Sequence, residues 1–335
     1  MNLTLVVCPG CRTLTGDRLD VRTLERTGDI LVCECGRRYP IIDGVPIIMA
    51  SPGDYLRNEI ATVVERDLAP EVAALLVEPG PDEAPYARLL DHLSVYLDAH
   101  WGDRATPAEG YGGQSLVDRI AARASERVEL AVELGCSAGR IVAELAAGAD
   151  HVVGLDLQFG IVRRARQLLD GERLAFGRRM AGRHYAPVAI TPGDRAVPES
   201  RRTLICGDAL DPPLIPGMFG RVVALNLLDS VSHPRRLLSV IDGLCARGGE
   251  VILSSPYSWQ SNVLHDDEPF GGDDPAAELV RILCTGERLG ARYAIEEEAD
   301  VAWPLRRDAR STVSYRTHFV RARKLPGESP SVKPG

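Results

Sequence analysis

One stretch restricts the fold of this chain more than any other. Val128 to Leu134 is apolar-rich and alternating, Gly135-Cys136-Ser137-Ala138-Gly139 follows, and Ile141 to Ala147 comes after Arg140. The first part reads as a buried strand and the last as a helix. Gly135 permits the tight turn between them, and Gly139 lets the helix start close to the strand. Strand, glycine turn and helix in that order aim the first N–H groups of the helix into a crevice at the strand ends. The alternation continues with a strand over His151–Asp156, a helix over Ile161–Leu169 and a strand over Thr203–Cys206. A strand over Arg221–Asn226, a helix over Pro234–Cys245 and a strand over Glu250–Ser255 complete it. The pattern predicts an α/β fold on a doubly wound, mostly parallel, Rossmann-like sheet. Ser115–Ser125 reads as a helix leading into it, and Ala291–Val301 with Thr312–Arg323 as a closing hairpin that places one antiparallel strand.

Acids stand at the predicted strand ends. Glu133 lies at the end of the first, Asp156 ends the second, and Gly207-Asp208-Ala209 follows the third. An acid at the tip of the second strand suits the two hydroxyls of a ribose, whether in a dinucleotide or in S-adenosylmethionine (SAM). A dinucleotide loop would read G-x-G-x-x-G, but Ser137 occupies the middle glycine position. Glu133 also suits a cationic cofactor better than a pyrophosphate, and Asp208 suits the adenine amino group. The run Glu133-Leu134-Gly135-Cys136-x-x-Gly139 resembles motif I of class I SAM-dependent methyltransferases. It implies a SAM site made by Glu133, Gly135, Ser137, Gly139, Asp156, Asp208, Ala209 and Asn226. A glycine turn in some other α/β enzyme is the plainer alternative.

At 335 residues, the chain has room for about two domains on the usual length prior. A net charge of −8 argues against a general nucleic-acid binder, though not against a local basic groove. No apolar run approaches the ~20 residues of a membrane span. The N-terminus lacks a basic segment followed by a long apolar one, so a cytoplasmic protein with no membrane partner is expected. The expected divisions are residues 1–50, a cysteine-bearing unit; 51–113, a helical linker or lid; 114–323, the sheet domain; and 324–335, a disordered tail rich in proline and serine. In the second division Tyr55–Leu68, Glu71–Val77 and Tyr86–Trp101 have helical spacing, and Glu78–Pro85 reads as a linker.

The eight cysteines fall into two groups. Cys136, Cys206, Cys245 and Cys284 are scattered through apolar segments and read as small buried hydrophobes. Cys8-Pro9-Gly10-Cys11 and Cys33-Glu34-Cys35-Gly36 form two knuckles, flanked by apolar segments at Leu3–Val7 and Asp29–Val32. Two knuckles on adjacent hairpins can offer four thiolates in a tetrahedron, which zinc accepts. Four cysteines leave no open position, so Zn2+ at Cys8, Cys11, Cys33 and Cys35 would be structural. Four free thiols or a redox C-x-x-C are the alternatives. Together with Cys35-Gly36-x-x-Tyr39-Pro40-Ile41-x-Asp43-Gly44-Val45-Pro46-Ile47, the knuckles resemble the small zinc-ribbon activator family that partners tRNA and protein methyltransferases. The resemblance implies a ribbon that adds a strand to the methyltransferase sheet, here in cis, and covers an apolar surface. Pro40 and Pro46 are expected to bracket a short edge strand.

Catalytic candidates follow from position at strand ends. The fourth strand leads into Asn226-Leu227-Leu228-Asp229, and the fifth into Pro256-Tyr257-Ser258-Trp259. Asp229 or His100 can take a proton from an acceptor, Tyr257 can hydrogen-bond it, and Trp259 can stack on it. The plainer readings are that Asp229 caps a helix, that Tyr257 and Trp259 wall a pocket, and that Tyr96, His100 and Trp101 pack. These segments resemble the methyltransferase domain of ovothiol synthases, the mercaptohistidine N-methyltransferases. So do Tyr96-Leu97-x-x-His100-Trp101 and Trp303-Pro304-Leu305-Arg306-Arg307. The resemblance covers most of residues 90–323 and implies an imidazole acceptor, with Tyr96, Trp101, Trp259 and Arg307 as substrate contacts. It does not extend to that family's iron-dependent domain, and that family has no cysteine ribbon.

Glu172–Arg202 is rich in arginine and suits a phosphate, a carboxylate, a nucleic acid or a leader peptide, or else is a solvated loop. His265–Glu268 and Asp273-Asp274 read as a solvated lid loop rather than a metal site. The expected activity is SAM-dependent N-methylation of a small molecule or a histidine-like imidazole or amine. A macromolecular methyltransferase acting on tRNA, protein or peptide, and a non-catalytic SAM-binding scaffold, are the rivals.

Overall fold

The computed structural model describes residues 2–15, 18–69, 72, 85–107, 114–259, 263–264 and 270–326. Its N-terminal strands are short: β1 (Thr13–Thr15), β2 (Arg18–Asp20), β3 (Glu25–Thr27), β4 (Ile30–Val32), β5 (Arg38–Ile42) and β6 (Val45–Pro46). Helices α1 (Pro52–Asn58), α2 (Ile60–Val64) and α3 (Pro85–Trp101) follow, then β7 (Ala105–Thr106) and α4 (Gln114–Ala121). The sheet domain starts with β8 (Val128–Leu134), α5 (Arg140–Gly148), β9 (Ala149–Asp156) and α6 (Phe159–Leu169). It goes on through β10 (Leu174–Ala181), β11 (His184–Ile190), β12 (Arg202–Cys206), β13 (Phe219–Leu225) and α7 (Pro234–Leu244). It ends with β14 (Cys245–Ser255), α8 (Pro275–Thr285), β15 (Tyr293–Arg306) and β16 (Thr312–Lys324).

Seven of these strands form one sheet in the order β12-β9-β8-β13-β14-β16-β15. Neighbours pair in parallel from β12 to β14, and β16 runs antiparallel to both β14 and β15. β8, β9, β12 and β13 are buried over most of their length, and for that reason read as near-continuous apolar runs. Strand order reverses between β8 and β13, and the crevice at that switch point is where an open α/β sheet binds its ligand. This is a Rossmann-like, doubly wound α/β fold. One core, beneath α3 to α6, covers one face, and a second, beneath α7 and α8, covers the other.

Most of the cysteine unit's buried residues belong to the second core, while Val45 and Ile47 join the first. Leu5, Val6, Leu31, Tyr39, Ile41 and Ile48 are buried in the second with residues of β9, β12 and β13. Its four-stranded sheet β3-β4-β5-β6 abuts the free edge of β12 through a parallel bridge between Ile47 and Cys206. Pro40 lies in β5, an inner strand of that sheet rather than an edge. Its carbonyl accepts from Ile47 N at 2.9 Å, which keeps one ladder bond at this position.

Several elements depart from the sequence reading. Leu3–Leu5 is a turn of 3-10 helix, and Val6 and Val7 make only isolated bridges. The Tyr55–Leu68 helix breaks at Glu59 into α1 and α2. Glu172–Arg202 contains a hairpin, β10–β11, which pairs with β7 and packs on α3. Asp274 caps α8, a helix the sequence reading missed, accepting from Ala277 N at 3.0 Å with Pro275 in the first turn. The segments 73–84, 265–269 and 327–335 lie outside the described residues, and with them most of the Glu71–Val77 helix, the Glu78–Pro85 linker, the His265–Glu268 cluster and most of the tail. No helix among the described residues is long and apolar enough to cross a membrane.

Candidate active site

The glycine turn is shaped by two close approaches. Gly135 has φ +75°, and a Cβ there would lie 3.0 Å from Leu227. Gly139 has φ +76°, and a Cβ there would lie 2.9 Å from Ala165, where α5 meets α6. The N–H groups of Gly135 and Cys136 both donate to Leu155 O, which pins the turn to β9. Ser137, at φ +44°, donates its N–H to Asp156 Oδ2, and Gln158 N donates to Asp156 Oδ1, each at 2.9 Å. Asp156 is therefore aimed by two backbone donors. Burial nevertheless raises its pKa, since desolvation outweighs those bonds. Glu133 is buried, its Oε2 has no hydrogen-bond partner, and burial holds its pKa well above the usual carboxylate range.

A cavity of about 580 Å³ runs along these strand ends, within the range of about 300–1,000 Å³ usual for small-molecule sites. Glu133, Gly135, Ser137, Asp156, Asp208, Ala209 and Asn226 line it, so seven of the eight cofactor candidates come together. Gly139, the eighth, stands behind the turn as the N-cap of α5. The rest of the wall comes from far away in the sequence. His92, Tyr96 and His100 project from one face of α3 at helical spacing. Trp303, Leu305 and Tyr315 come from the β15–β16 hairpin, where Trp303 and Tyr315 are cross-strand partners. The sequence reading named Tyr96 and His100 of this group but missed His92, Trp303, Leu305 and Tyr315. The i, i+4, i+8 spacing on α3 was a signal for His92. Trp303 and Leu305 lie in the Trp303–Arg307 motif without having been assigned to the site, and nothing local marks Tyr315.

The acid–base candidates divide. Asp229 is buried on the cavity wall, with Oδ2 held by Ser258 N at 2.9 Å and Oδ1 without a partner. It caps no helix, and burial raises its pKa. His100 lines the cavity edge-on to Trp303, and burial, helped by the charge of Arg140, pushes its pKa down to about 4. It is therefore neutral at pH 7. Tyr257, at φ +54°, directs its hydroxyl to His318 Nδ1 at 2.8 Å, and His318 Nε2 meets Glu298 Oε1 at 3.1 Å. Its neighbours Pro256 and Ser258 line the cavity. Ser137, Asn226 and Tyr257 thus all hold left-handed backbone at the same rim, the kind of strain that clusters at ligand sites.

Three expected substrate contacts do not line the cavity. Trp101 is fully buried, donates Nε1–H to Ala138 O at 2.8 Å and stacks beneath Arg140, so it anchors α3 to the glycine turn. Trp259 packs on Tyr257 and Phe270. Arg307 is exposed at the tip of the β15–β16 hairpin. Nor do the insertion's arginines form a basic face. Arg178 is buried on Asp98, Arg179 pairs with Asp91, and Arg195 with Glu144. Arg201 donates to Ala146 O and Ala149 O, and Arg202 pairs with Asp170. No lysine or arginine lines the cavity among the described residues.

The cysteine unit brings its knuckles together. The sulfurs of Cys8, Cys11, Cys33 and Cys35 all lie within 4.8 Å of one another. Cys8 and Cys35 are 3.9 Å apart, and Cys11 and Cys33 3.7 Å. A tetrahedron of Zn–S bonds near 2.3 Å has edges of about 3.8 Å, so the donor set and its spacing fit zinc. By the same test a cationic, ribose-bearing cofactor fits the cavity, where the acids Glu133, Asp156 and Asp208 meet the glycine turn.

Residues 132–253 match the family model of a methyltransferase domain. No curated protein matches the sequence. Among solved structures, the magnesium protoporphyrin IX methyltransferase of Synechocystis PCC 6803 is similar at 15% identity, over 78% of this chain and 98% of that one, with a TM-score of 0.42. The N-methyltransferase NodS of Bradyrhizobium japonicum WM9 is similar at 15% identity, over 63% and 87%, with a TM-score of 0.40.

Proposed function

This chain is a SAM-dependent methyltransferase, and we propose that it methylates a nitrogen of a small, histidine-like imidazole or amine. The observation that carries this reading is Asp229, a buried carboxylate with one oxygen unpartnered, on the wall of a cavity that has aromatic rings and no cationic lining among the described residues. Such a wall favours a flat neutral or cationic acceptor and repels a phosphate. Five arginines of the insertion, Arg178, Arg179, Arg195, Arg201 and Arg202, are engaged by internal partners, which weakens the case for a nucleic-acid surface there.

SAM, when bound, supplies a methyl group on a sulfonium. Glu133 would be drawn back toward its charged form by the bound sulfonium, Asp156 would take the ribose hydroxyls, and Asp208 the adenine amino group. Asp229 orients the acceptor N–H and receives the proton as the new N–C bond forms. Neutral His100 hydrogen-bonds without adding a charge that would oppose the sulfonium. Burial raises the pKa of Tyr96, with smaller contributions from Tyr315, Asp229 and Asp156. A zinc ion on the four N-terminal thiolates is part of the same reading, as a closed structural site. About one zinc per chain is expected, lost in Cys8→Ser and Cys33→Ser variants.

The test is calorimetric binding of S-adenosylhomocysteine, followed by incubation with methyl-labelled SAM and separate pools of imidazoles, amines, peptides and tRNA. Label on an imidazole or amine supports the proposal. Label on tRNA or peptide replaces it with the macromolecular reading, and cofactor binding without labelling of any pool favours a scaffold.

A further inference from the structure

The loop that follows β12 is held from outside the sheet domain. Asp208 and Ala209 line the cavity from this loop. It is a tight turn, with Leu210 N on Asp208 Oδ1 at 2.8 Å and Asp211 N on Asp208 O at 3.1 Å. The cysteine unit grips both ends of it. On one side Ile48 N donates to Cys206 O at 2.9 Å, and a Cβ on Gly207 would lie 3.1 Å from Ile48 O. On the other, Val7 N donates to Pro213 O at 2.9 Å and Ile215 N donates to Leu5 O at 3.2 Å. Between them Arg12 reaches across. Its Nη1 donates to Asp211 Oδ1 at 2.6 Å, and its Nη2 to Pro212 O.

We infer that Arg12 is a positioning residue for the cofactor, which sets the Asp208–Asp211 turn against the adenine from the neighbouring unit. The inference rests on the assignment of Asp208 and Ala209 to the adenine. Its physical basis is that a guanidinium can engage a carboxylate and a carbonyl at once, with charge-assisted bonds that fix direction as well as distance. The pair is partly shielded, at 21% and 34% side-chain exposure, so it is not a freely solvated surface contact. Arg12 follows Cys11 and Val7 precedes Cys8, so the knuckle that gathers the thiols also sets two of the residues that hold the loop. The cysteine unit would then be part of the cofactor site without touching the cofactor.

The experiment is calorimetry on the full chain with S-adenosylhomocysteine and, separately, 5′-methylthioadenosine, which keeps the adenosine but lacks the amino-acid end. Arg12→Ala and Asp211→Ala are each expected to weaken both ligands by about tenfold, with zinc content and thermal midpoint unchanged. The pair cut from either side should give the same loss, and the double variant no more than one alone. Arg22→Ala, which breaks an exposed ion pair with Glu34 elsewhere in the unit, should leave both affinities at the wild-type value. Wild-type affinity in both Arg12→Ala and Asp211→Ala would overturn the inference, and so would a loss seen for S-adenosylhomocysteine alone. Failure of the unaltered chain to bind either ligand would remove the adenine assignment and the inference with it. Failure to find an acceptor leaves these binding results standing, so the two readings fail separately.

Discussion

The two halves of the cavity are built on different principles. The cofactor half is made of backbone: a glycine turn with left-handed dihedrals, N–H groups that aim Asp156, and acids at the ends of adjacent parallel strands. The other half is made of side chains from α3 and from the β15–β16 hairpin, brought over the crevice by packing. Buried ion pairs hold that roof in place. Arg178 joins Asp98 of α3 to the β10–β11 hairpin, and Arg140 joins Asp103 and Glu144 across the end of α3. A chemistry shared by all users of one cofactor can rest on the first kind of construction. The second can be rebuilt around a different acceptor without disturbing the first; the family match, over residues 132–253, includes the glycine turn and excludes α3 and the β15–β16 hairpin.

Damage to each half therefore has a separate signature. The largest effect is expected at Asp156→Ala, which should reduce S-adenosylhomocysteine affinity by more than about 100-fold, since a buried hydrogen-bonding carboxylate is lost at the ribose. Circular dichroism should show the fold intact, and unchanged affinity would mean that Asp156 is not the ribose acid.

Next comes a pH effect confined to the roof. His100 has a pKa of about 4 in the fold and about 6.5 when unfolded. Between those values the unfolded chain takes up a proton that the folded one does not, so stability falls as pH drops from about 6.5 to about 4. The loss should approach about 3 kcal/mol at the acid end and should be missing above pH 7. Urea midpoints of the wild type and His100→Gln across that range would reveal it, and parallel curves would rule it out.

Asp229→Asn should lower turnover on the labelled acceptor by about 100-fold and leave S-adenosylhomocysteine affinity within about threefold of the wild type. A comparable loss of cofactor affinity would erase the distinction between the halves at this residue. The smallest effect belongs to the joint between them. Trp101→Phe removes the bond to Ala138 O inside a buried contact, and should cost about 1–2 kcal/mol in urea unfolding. No change there would show that Arg140 alone carries the joint.

Legibility followed the same division. The strand–turn–helix at 128–148 and the acids at 133, 156 and 208 could be located from the sequence because each depends on neighbours in the chain: the period of a buried strand, a glycine where φ is positive, an acid at a strand tip. The four knuckle cysteines were equally readable, because their spacing alone restricts how they can meet. Trp101 was misplaced for the opposite reason. A tryptophan at the end of an amphipathic helix looks the same whether it faces a cavity or a carbonyl, and only the position of Ala138 decides. The arginines of 172–202 were readable as charge and not as partners, because Asp91 and Asp98 lie some 80 residues earlier in the chain.

By itself the sequence determined the α/β alternation, the site of the glycine turn, the acids at the strand tips and the four thiols. All of these are local: dihedral preference, hydrophobic period and residue spacing act over a few positions and survive any arrangement of the rest. The tertiary structure decided which rings roof the cavity, which arginines are consumed, that Asp229 keeps one oxygen unpartnered, and that Arg12 reaches Asp211 across 199 positions. Those outcomes depend on burial and on contacts between distant segments, and both are settled only when the whole chain has packed.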